Sequence, residues 1–255
     1  MSREKEVLKI IESNPMISQI ELSEMLGITR SSASVHITNL MKKGLIKGRG
    51  YIIDKKEYIC VVGGANNDLQ GFPMSTFKER DSNPGEIKMS SGGVGRNIAE
   101  NLARLGARTK LITAIGDDLY GSKIRSEAEN TNIDMSDIFV IKGQSTSTYM
   151  SILDHEGDMV AAISQMEIYE HLTVDMMKTR KNVIENSKAC VLDTNLREDV
   201  ISYILNNCRN VAFFVDTVST AKSRKIRDYL SKFHTLKLNR IEAEMLSNIK
   251  IKNDG

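Results

Sequence analysis

The sequence predicts an α/β domain with a mostly parallel sheet and helices on both faces, preceded by a small helical module. Three observations carry this. After Lys56, short apolar runs rich in β-branched residues (Ile59 to Val62, Lys110 to Ile115, Ala189 to Leu192, Val211 to Val215) mostly alternate with helical stretches, as in strands buried on both faces. Before Lys56 the apolar positions recur at helical spacing instead. With 255 residues, 40% hydrophobic and 27% charged, the chain has material for a large core and a small second domain. The expected domains are residues 1–57 and 58–255.

In the first segment Val7, Leu8, Ile10 and Ile11 mark a helix from Glu4 to Glu12, closed by Ser13-Asn14-Pro15. A second helix from Gln19 to Leu26 stops at Gly27, a residue that tolerates the left-handed turn of a helix end. A third starts after Thr29, a fitting N-cap, and runs through Val35, Ile37, Leu40 and Met41 to Gly44. Two short strands then flank Gly48-Arg49-Gly50, completing a helix-turn-helix with a wing. Between Met25 and Ile53 there is no acidic residue, while Arg30, Lys42, Lys43, Lys47 and Arg49 are all cationic. Such a surface attracts phosphates. Candidate DNA contacts are Arg30, Ser31, Ser32, Ser34 and His36 on the third helix, with Lys42, Lys43 and Arg49. The same module also serves protein contacts, so packing against the rest of the chain or dimerisation remains the alternative. The segment resembles the winged helix-turn-helix of bacterial regulators of the MarR or AsnC sort.

The net charge is only +2, so the basic footprint is local. Cys60, Cys190 and Cys208 are scattered, without paired spacing, which suits a reducing cytoplasm. The N-terminus lacks an apolar leader core and no window is long and apolar enough for a membrane span. Two segments interrupt the strand and helix alternation. Phe72 to Met89 is polar and irregular around Asp81-Ser82-Asn83-Pro84-Gly85, and Ser145 to Ile163 reads as two strands around His155-Glu156-Gly157-Asp158. Together, over about 69–89 and 145–163, they are expected to form a small β lid.

The densest signal is Ser90-Ser91-Gly92-Gly93-Val94-Gly95-Arg96-Asn97, leading into a helix whose buried stripe is expected at Ile98, Ala99, Leu102 and Leu105. Glycines before a helix leave bare amides and the positive end of its dipole facing an open space, where an oxygen-rich group belongs. The spacing is neither a dinucleotide fingerprint nor a phosphate-binding P-loop. Gly116 to Lys123 reads Gly-Ser-Lys where a P-loop needs Gly-Lys-Ser/Thr, and is taken as a turn.

The run from Gly92 to Gly106 resembles the first signature of the PfkB, ribokinase-like carbohydrate kinases. Three further motifs follow that family's order across residues 58–255: Asn66-Asn67-Asp68 after Gly63-Gly64, Gly116-Asp117-Asp118, and Asn239-Arg240-Ile241-Glu242. Within the family, Asp81 to Gly85, Phe214 to Lys222 and His234 to Lys237 are most similar to pseudouridine kinases. The resemblance implies ATP and Mg²⁺ as cofactors and a nucleoside or sugar as substrate. It implies sugar binding by Asn66, Asp68, Gly92, Gly93, Asn97, Thr148 and Asn195, with Thr148 and Tyr149 on the small sheet closing over the ligand as a lid, and magnesium organised indirectly by Asn239 and Glu242. Each has a plain structural alternative: turn caps for Asp68 and Asn195, a tight turn and cap at Gly92, Gly93 and Asn97, packing for Thr148, and a helix start for Asn239 and Glu242. Val94 replaces a lysine found in some relatives, which suits a base-bearing sugar.

The family's catalytic aspartate sits in Gly-Ala-Gly-Asp, a motif that this sequence does not contain. The expectation is a chain shortened at its C-terminus, with the base beyond Gly255, most of the adenine pocket missing, and no catalytic residue of its own. The alternative reading is a transcription regulator that uses a kinase-like domain as ligand sensor. The resemblance also suggests a homodimer formed through the small sheet.

Overall fold

The computed structural model describes residues 3–48 and 58–251. The chain divides into two compact units, Met1–Lys56 and Glu57–Gly255.

The N-terminal unit contains helices α1 (Arg3–Ser13), α2 (Gln19–Leu26) and α3 (Arg30–Lys42). Their boundaries follow local chemistry. The Ser18 hydroxyl accepts from the Glu21 amide while the Glu21 carboxylate accepts from the Ser18 amide, a capping box that satisfies two otherwise unpaired donors. Gly27 ends α2 in the left-handed region at φ 60°, and the Thr29 hydroxyl caps α3 by accepting from Ser32 N–H. Val7, Ile11, Leu22, Ala33, Ile37, Leu40 and Ile46 close the core of this unit. The wing tip expected at Arg49, and the strand after it, lie outside the described residues.

The second unit begins with β1 (Ile59–Val62), β2 (Asn66–Pro73), β3 (Gly85–Gly92), α4 (Val94–Arg104), β4 (Thr109–Ile112), β5 (Ala114–Gly116) and α5 (Leu119–Asn130). It continues through β6 (Ile133–Asp134), β7 (Phe139–Ile141), β8 (Thr148–Leu153), β9 (Met159–Gln165), α6 (Val174–Lys178) and α7 (Lys181–Glu185). The final elements are β10 (Ala189–Asp193), α8 (Glu198–Asn207), β11 (Ala212–Asp216), α9 (Thr220–Ser223), β12 (Thr235–Lys237) and α10 (Arg240–Ser247). Six strands form a parallel sheet in the order β12-β11-β10-β1-β4-β6. Cys60 and Val62 point to one face, with Leu192, Val200, Ile201 and Ile204, while Val61 points to the other, with Leu111, Ala99 and Ala128. This alternation buries both faces and explains why the strands read as continuous apolar runs.

Two sequence expectations need correction. The run Lys110 to Ile115 is two strands, not one: the chain breaks at Thr113, and Ala114–Gly116 pairs with Phe139–Ile141 in a separate parallel sheet. The stretch Phe72 to Met89 is not wholly irregular, because β3 takes up its second half and pairs along all of β2. Its charges hid it: β3 is exposed along most of its length, so no apolar stripe marks the strand. The resulting sheet, β3-β2-β8-β9, is the small sheet expected from the two interrupting segments.

Candidate functional site

The site begins where the strands of the parallel sheet end, the usual ligand crevice of open α/β sheets. Strands β1 and β10 are neighbours, with Val62 beside Leu192, so Asp193 emerges next to the Gly63-Gly64 turn. Asp193 is fully buried. Its carboxylate accepts from the amides of Gly64 and Gly95 at 2.7 Å each and from Asn195 N–H at 2.8 Å. Burial pushes its carboxyl pKa up, opposed by those backbone amides. Three segments distant in sequence thus meet on one side chain. The Gly64 carbonyl accepts from Arg96 N–H, and a Cβ at Gly95 would lie 2.8 Å from the Gly63 backbone. Gly93 has φ +96°, and a Cβ there would lie 2.5 Å from the Gly64 carbonyl oxygen. Only glycine fits such a crossing.

The oxygen-rich partner expected for the bare amides is therefore partly internal, since Asp193 occupies the Gly95 amide. The helix stripe also differs: Ala99 is buried and Ile98 and Leu102 are half-buried, but Leu105 is 84% exposed at the helix end. Behind the turn, the buried Tyr169 hydroxyl both accepts from Ala65 N–H and donates to the Ala65 carbonyl, each at 2.6 Å. Burial pushes this phenol up to about 12.

From Ala65 the chain enters the small sheet. Asn66 donates through its side-chain amide to the Asp68 carboxylate at 2.6 Å, and a Cβ at Gly92 would collide with that carboxylate. Asp68 is half-buried; desolvation raises its pKa, opposed by the Asn66 bond and the Arg96 charge. Opposed residues share a face and neighbours alternate, so the register places Asn66, Asp68, Ser90, Gly92 and Tyr149 on one face. Thr148 falls on the other face, opposite Asn67, with its hydroxyl donating to the Thr146 carbonyl. Tyr149, not Thr148, stands beside Asp68. Asn97 is exposed in the first turn of α4 and accepts from Arg96. The buried Arg96 also donates to the Ser91 carbonyl and pairs with Glu100 at 2.5 Å, bracing the glycine loop.

Along the rim, the Asn195 side-chain oxygen accepts from Lys222 at 2.5 Å, and Lys225 donates to the carbonyls of Thr194 and Leu196. Desolvation lowers both lysine pKa values. At the next strand end, Asn239 and Glu242 form the capping box of α10: the Asn239 side chain accepts from Glu242 N–H and the Glu242 carboxylate accepts from Asn239 N–H. The Thr217 hydroxyl donates to the same Glu242 oxygen at 2.5 Å, and Glu242 is buried.

Asp193, Tyr169, Arg96 and Lys225 were not among the expected site residues, although Arg96 lies within the glycine motif. The Asp193 signal was available: a carboxylate closing the apolar run Ala189 to Leu192 sits at the rim of a buried strand. Tyr169 carried none, because its partner lies 104 residues away. A cavity of about 640 Å³ opens on the face opposite Asp68, lined by Leu69, Gly71, Ile87, Tyr120, Met150 and Ile152. None of the expected sugar-binding residues lines it; its walls are mainly apolar, with Asp81, Asn83, Glu86 and Ser151 also lining it.

In the N-terminal unit, Arg30, Ser31 and Lys42 are exposed while Ser32 and Ser34 are half-buried. His36 is half-buried, and Lys43 pairs with Glu4 at 2.5 Å. The Lys43 pair with Glu4 of α1 puts that side chain on the α1 side of α3, and His36, two turns earlier, shares that side.

Comparison with known proteins agrees with both units. A model described as pfkB family carbohydrate kinase matches residues 56–254, and one described as winged helix-turn-helix DNA-binding matches residues 2–47. The uncharacterized sugar kinase YeiI of Escherichia coli is 39% identical over 254 residues, covering 100% of this chain and 70% of that protein. Pseudouridine kinase of the same organism is 41% identical over 197 residues, covering 77% of this chain and 63% of that protein. A ribokinase of Arabidopsis thaliana, solved with ribose and ATP, superposes with a TM-score of 0.67 over 78% of this chain and 65% of its own. At 16% identity that likeness shows the ribokinase-like fold alone. The chain thus spans about two thirds of the length of these proteins. Among the described residues no helix is long and apolar enough to cross a membrane. From the match over residues 56–254 and the relatives that share it, the chain belongs to the pfkB family of carbohydrate kinases.

Proposed function

We propose that this chain carries the substrate-recognition half of an ATP-dependent nucleoside kinase, with pseudouridine as substrate, joined to a DNA-binding module. The carrying observation is Asp68. Its carboxylate is oriented by Asn66 at 2.6 Å and stands over Gly92, at the edge of the glycine loop that Asp193 holds in place. A carboxylate fixed in this way accepts from two adjacent ribose hydroxyls. Gly92 and Gly93 let the sugar approach the backbone, Asn97 supplies an exposed amide, and the half-buried Asn195 supplies another amide, held by Lys222. Thr148 would shape the lid from its other face rather than touch the ligand.

The Asn239 and Glu242 pair fits an indirect role toward Mg²⁺, which prefers oxygen ligands and keeps several waters. Its capping bonds leave Glu242 a second carboxylate oxygen for a water of the metal's shell. Bound with ATP, the metal would neutralise developing phosphate charge. The base that takes the hydroxyl proton is proposed to lie outside this chain. Exposed Ile87, Met89, Met150 and Ile163 on the cavity face of the small sheet support dimerisation through that sheet. Three free buried cysteines support a reducing, cytoplasmic setting.

Calorimetric titration with pseudouridine, uridine and ribose tests the reading. Pseudouridine is expected to bind saturably and more tightly than the others, and Asp68→Ala to weaken it at least tenfold, the scale of a lost charged hydrogen bond. No binding of any of the three by folded protein would overturn it. A regulator reading is favoured by the winged helix-turn-helix match at residues 2–47. It predicts that pseudouridine changes the protein's affinity for duplex DNA, whereas a kinase with an uncoupled module shows none of that linkage.

A further inference from the structure

Helix α3 buries Ala33, Ile37 and Leu40. At 3.6 residues per turn, the opposite side is the row Ser31, Val35, Thr38 and Lys42, and all four are exposed. Val35 is 57% exposed in the middle of this row. A β-branched residue there weakens the helix slightly and gains nothing from packing. Thr38 is committed differently from an ordinary surface threonine: its hydroxyl donates to the Ser34 carbonyl at 2.8 Å, so its free branch is the γ-methyl. The centre of an otherwise hydroxyl-bearing and cationic face therefore presents methyl groups on successive turns. Arg30 stands at the start of the helix and Lys42 at its end, and the sequence has no acidic residue from Met25 to Ile53.

Resting on the DNA-binding reading above, we infer that Val35 and Thr38 determine sequence preference by packing on the 5-methyl group of thymine in the major groove, while Arg30 and Lys42 hold the flanking phosphates. The chemistry is specific. Thymine is the one standard DNA base whose major-groove edge carries a methyl, and apolar side chains read it. Lysine and arginine contacts position the helix without telling bases apart. His36 and Lys43, which lie on the α1 side, take no part in this reading.

The test uses the full chain and three duplexes at low salt: alternating dA·dT, the same duplex with deoxyuridine in place of thymidine, and alternating dG·dC. Fluorescence anisotropy gives the affinities. The wild-type protein is expected to bind the thymine duplex on the order of fivefold more tightly than its deoxyuridine counterpart, the scale of one buried methyl group. In the double variant Val35→Ser, Thr38→Ser, which removes the methyl groups of both exposed side chains, that ratio falls to one. Thermal melting of the variant checks that the helix is intact. Equal wild-type affinity for the two duplexes, or a preference that survives in the variant, overturns the inference and leaves DNA binding standing. No binding to any of the three duplexes removes the DNA-binding reading and this inference with it, while leaving the nucleoside titration untouched.

Discussion

The N-terminal unit and the α/β unit organise their functional surfaces by opposite means. In the first, each feature is set within a few residues: Ser18 caps with Glu21, Thr29 caps with Ser32, and the outward row of α3 follows from helical period. In the second, the glycine loop and the Asp68 edge are held by Asp193, which lies 129 residues from Gly64 and 98 from Gly95 along the chain. The lesson is that the outward row of α3 is set by local caps and helical period, whereas the glycine loop and Asp68 edge need three chain segments brought to one point.

The largest expected effect breaks the long-range side of this comparison. Asp193→Ala strands the Gly64 and Gly95 amides in a buried setting, and unpaired buried donors cost about 1–3 kcal/mol each. A loss of roughly 3–5 kcal/mol is expected in the α/β unit, with the N-terminal unit's helical signal unmoved in chemical denaturation. Equal loss in both units would end the contrast. Next comes Tyr169, whose phenol is raised from 10.0 to about 12. A group held protonated in the folded state binds more protons there than in the unfolded chain, so stability falls as pH rises through this window. The expected loss is about 2–3 kcal/mol between the two values, and Tyr169→Phe removes that part of the slope. The comparison of urea midpoints for the two proteins at alkaline pH isolates Tyr169 from the other titrating groups. The smallest effect is local: Thr29→Ala is expected to cost about 1 kcal/mol, confined to the N-terminal unit and read from its thermal midpoint.

What was legible in the sequence follows the same division. Helix α2 was placed at its observed ends from its apolar residues and Gly27, and the structure adds the Ser18 and Glu21 capping box that fixes its start. Strands β1 and β10 were legible as buried apolar runs, while β3 was not, since Glu86, Lys88 and Ser90 face solvent with Ile87 and Met89. At the site, the glycines and Asp68 were visible as motif residues. The reason the glycines are needed was not, because Asp193 and the Gly63-Gly64 turn approach them only in three dimensions. Thr148 and Tyr149 show the limit of motif reading in a strand: one residue of register decides which face a side chain serves. On α3 the basic residues were legible from composition, but the split between the outward row and the side carrying His36 and Lys43 required the packing of α1.

Amide hydrogen exchange, followed with and without pseudouridine, bears most directly on the claim that the Asp193-pinned loop and the Asp68 edge form one ligand site. The account predicts slow exchange at Gly64 and Gly95 in the free protein and added protection at Asn66 to Asp68 and at Gly92 to Gly93 when the nucleoside binds. Rapid exchange at Gly64 and Gly95, or protection confined to Leu69, Tyr120 and Ile152 around the cavity on the opposite face, would contradict it.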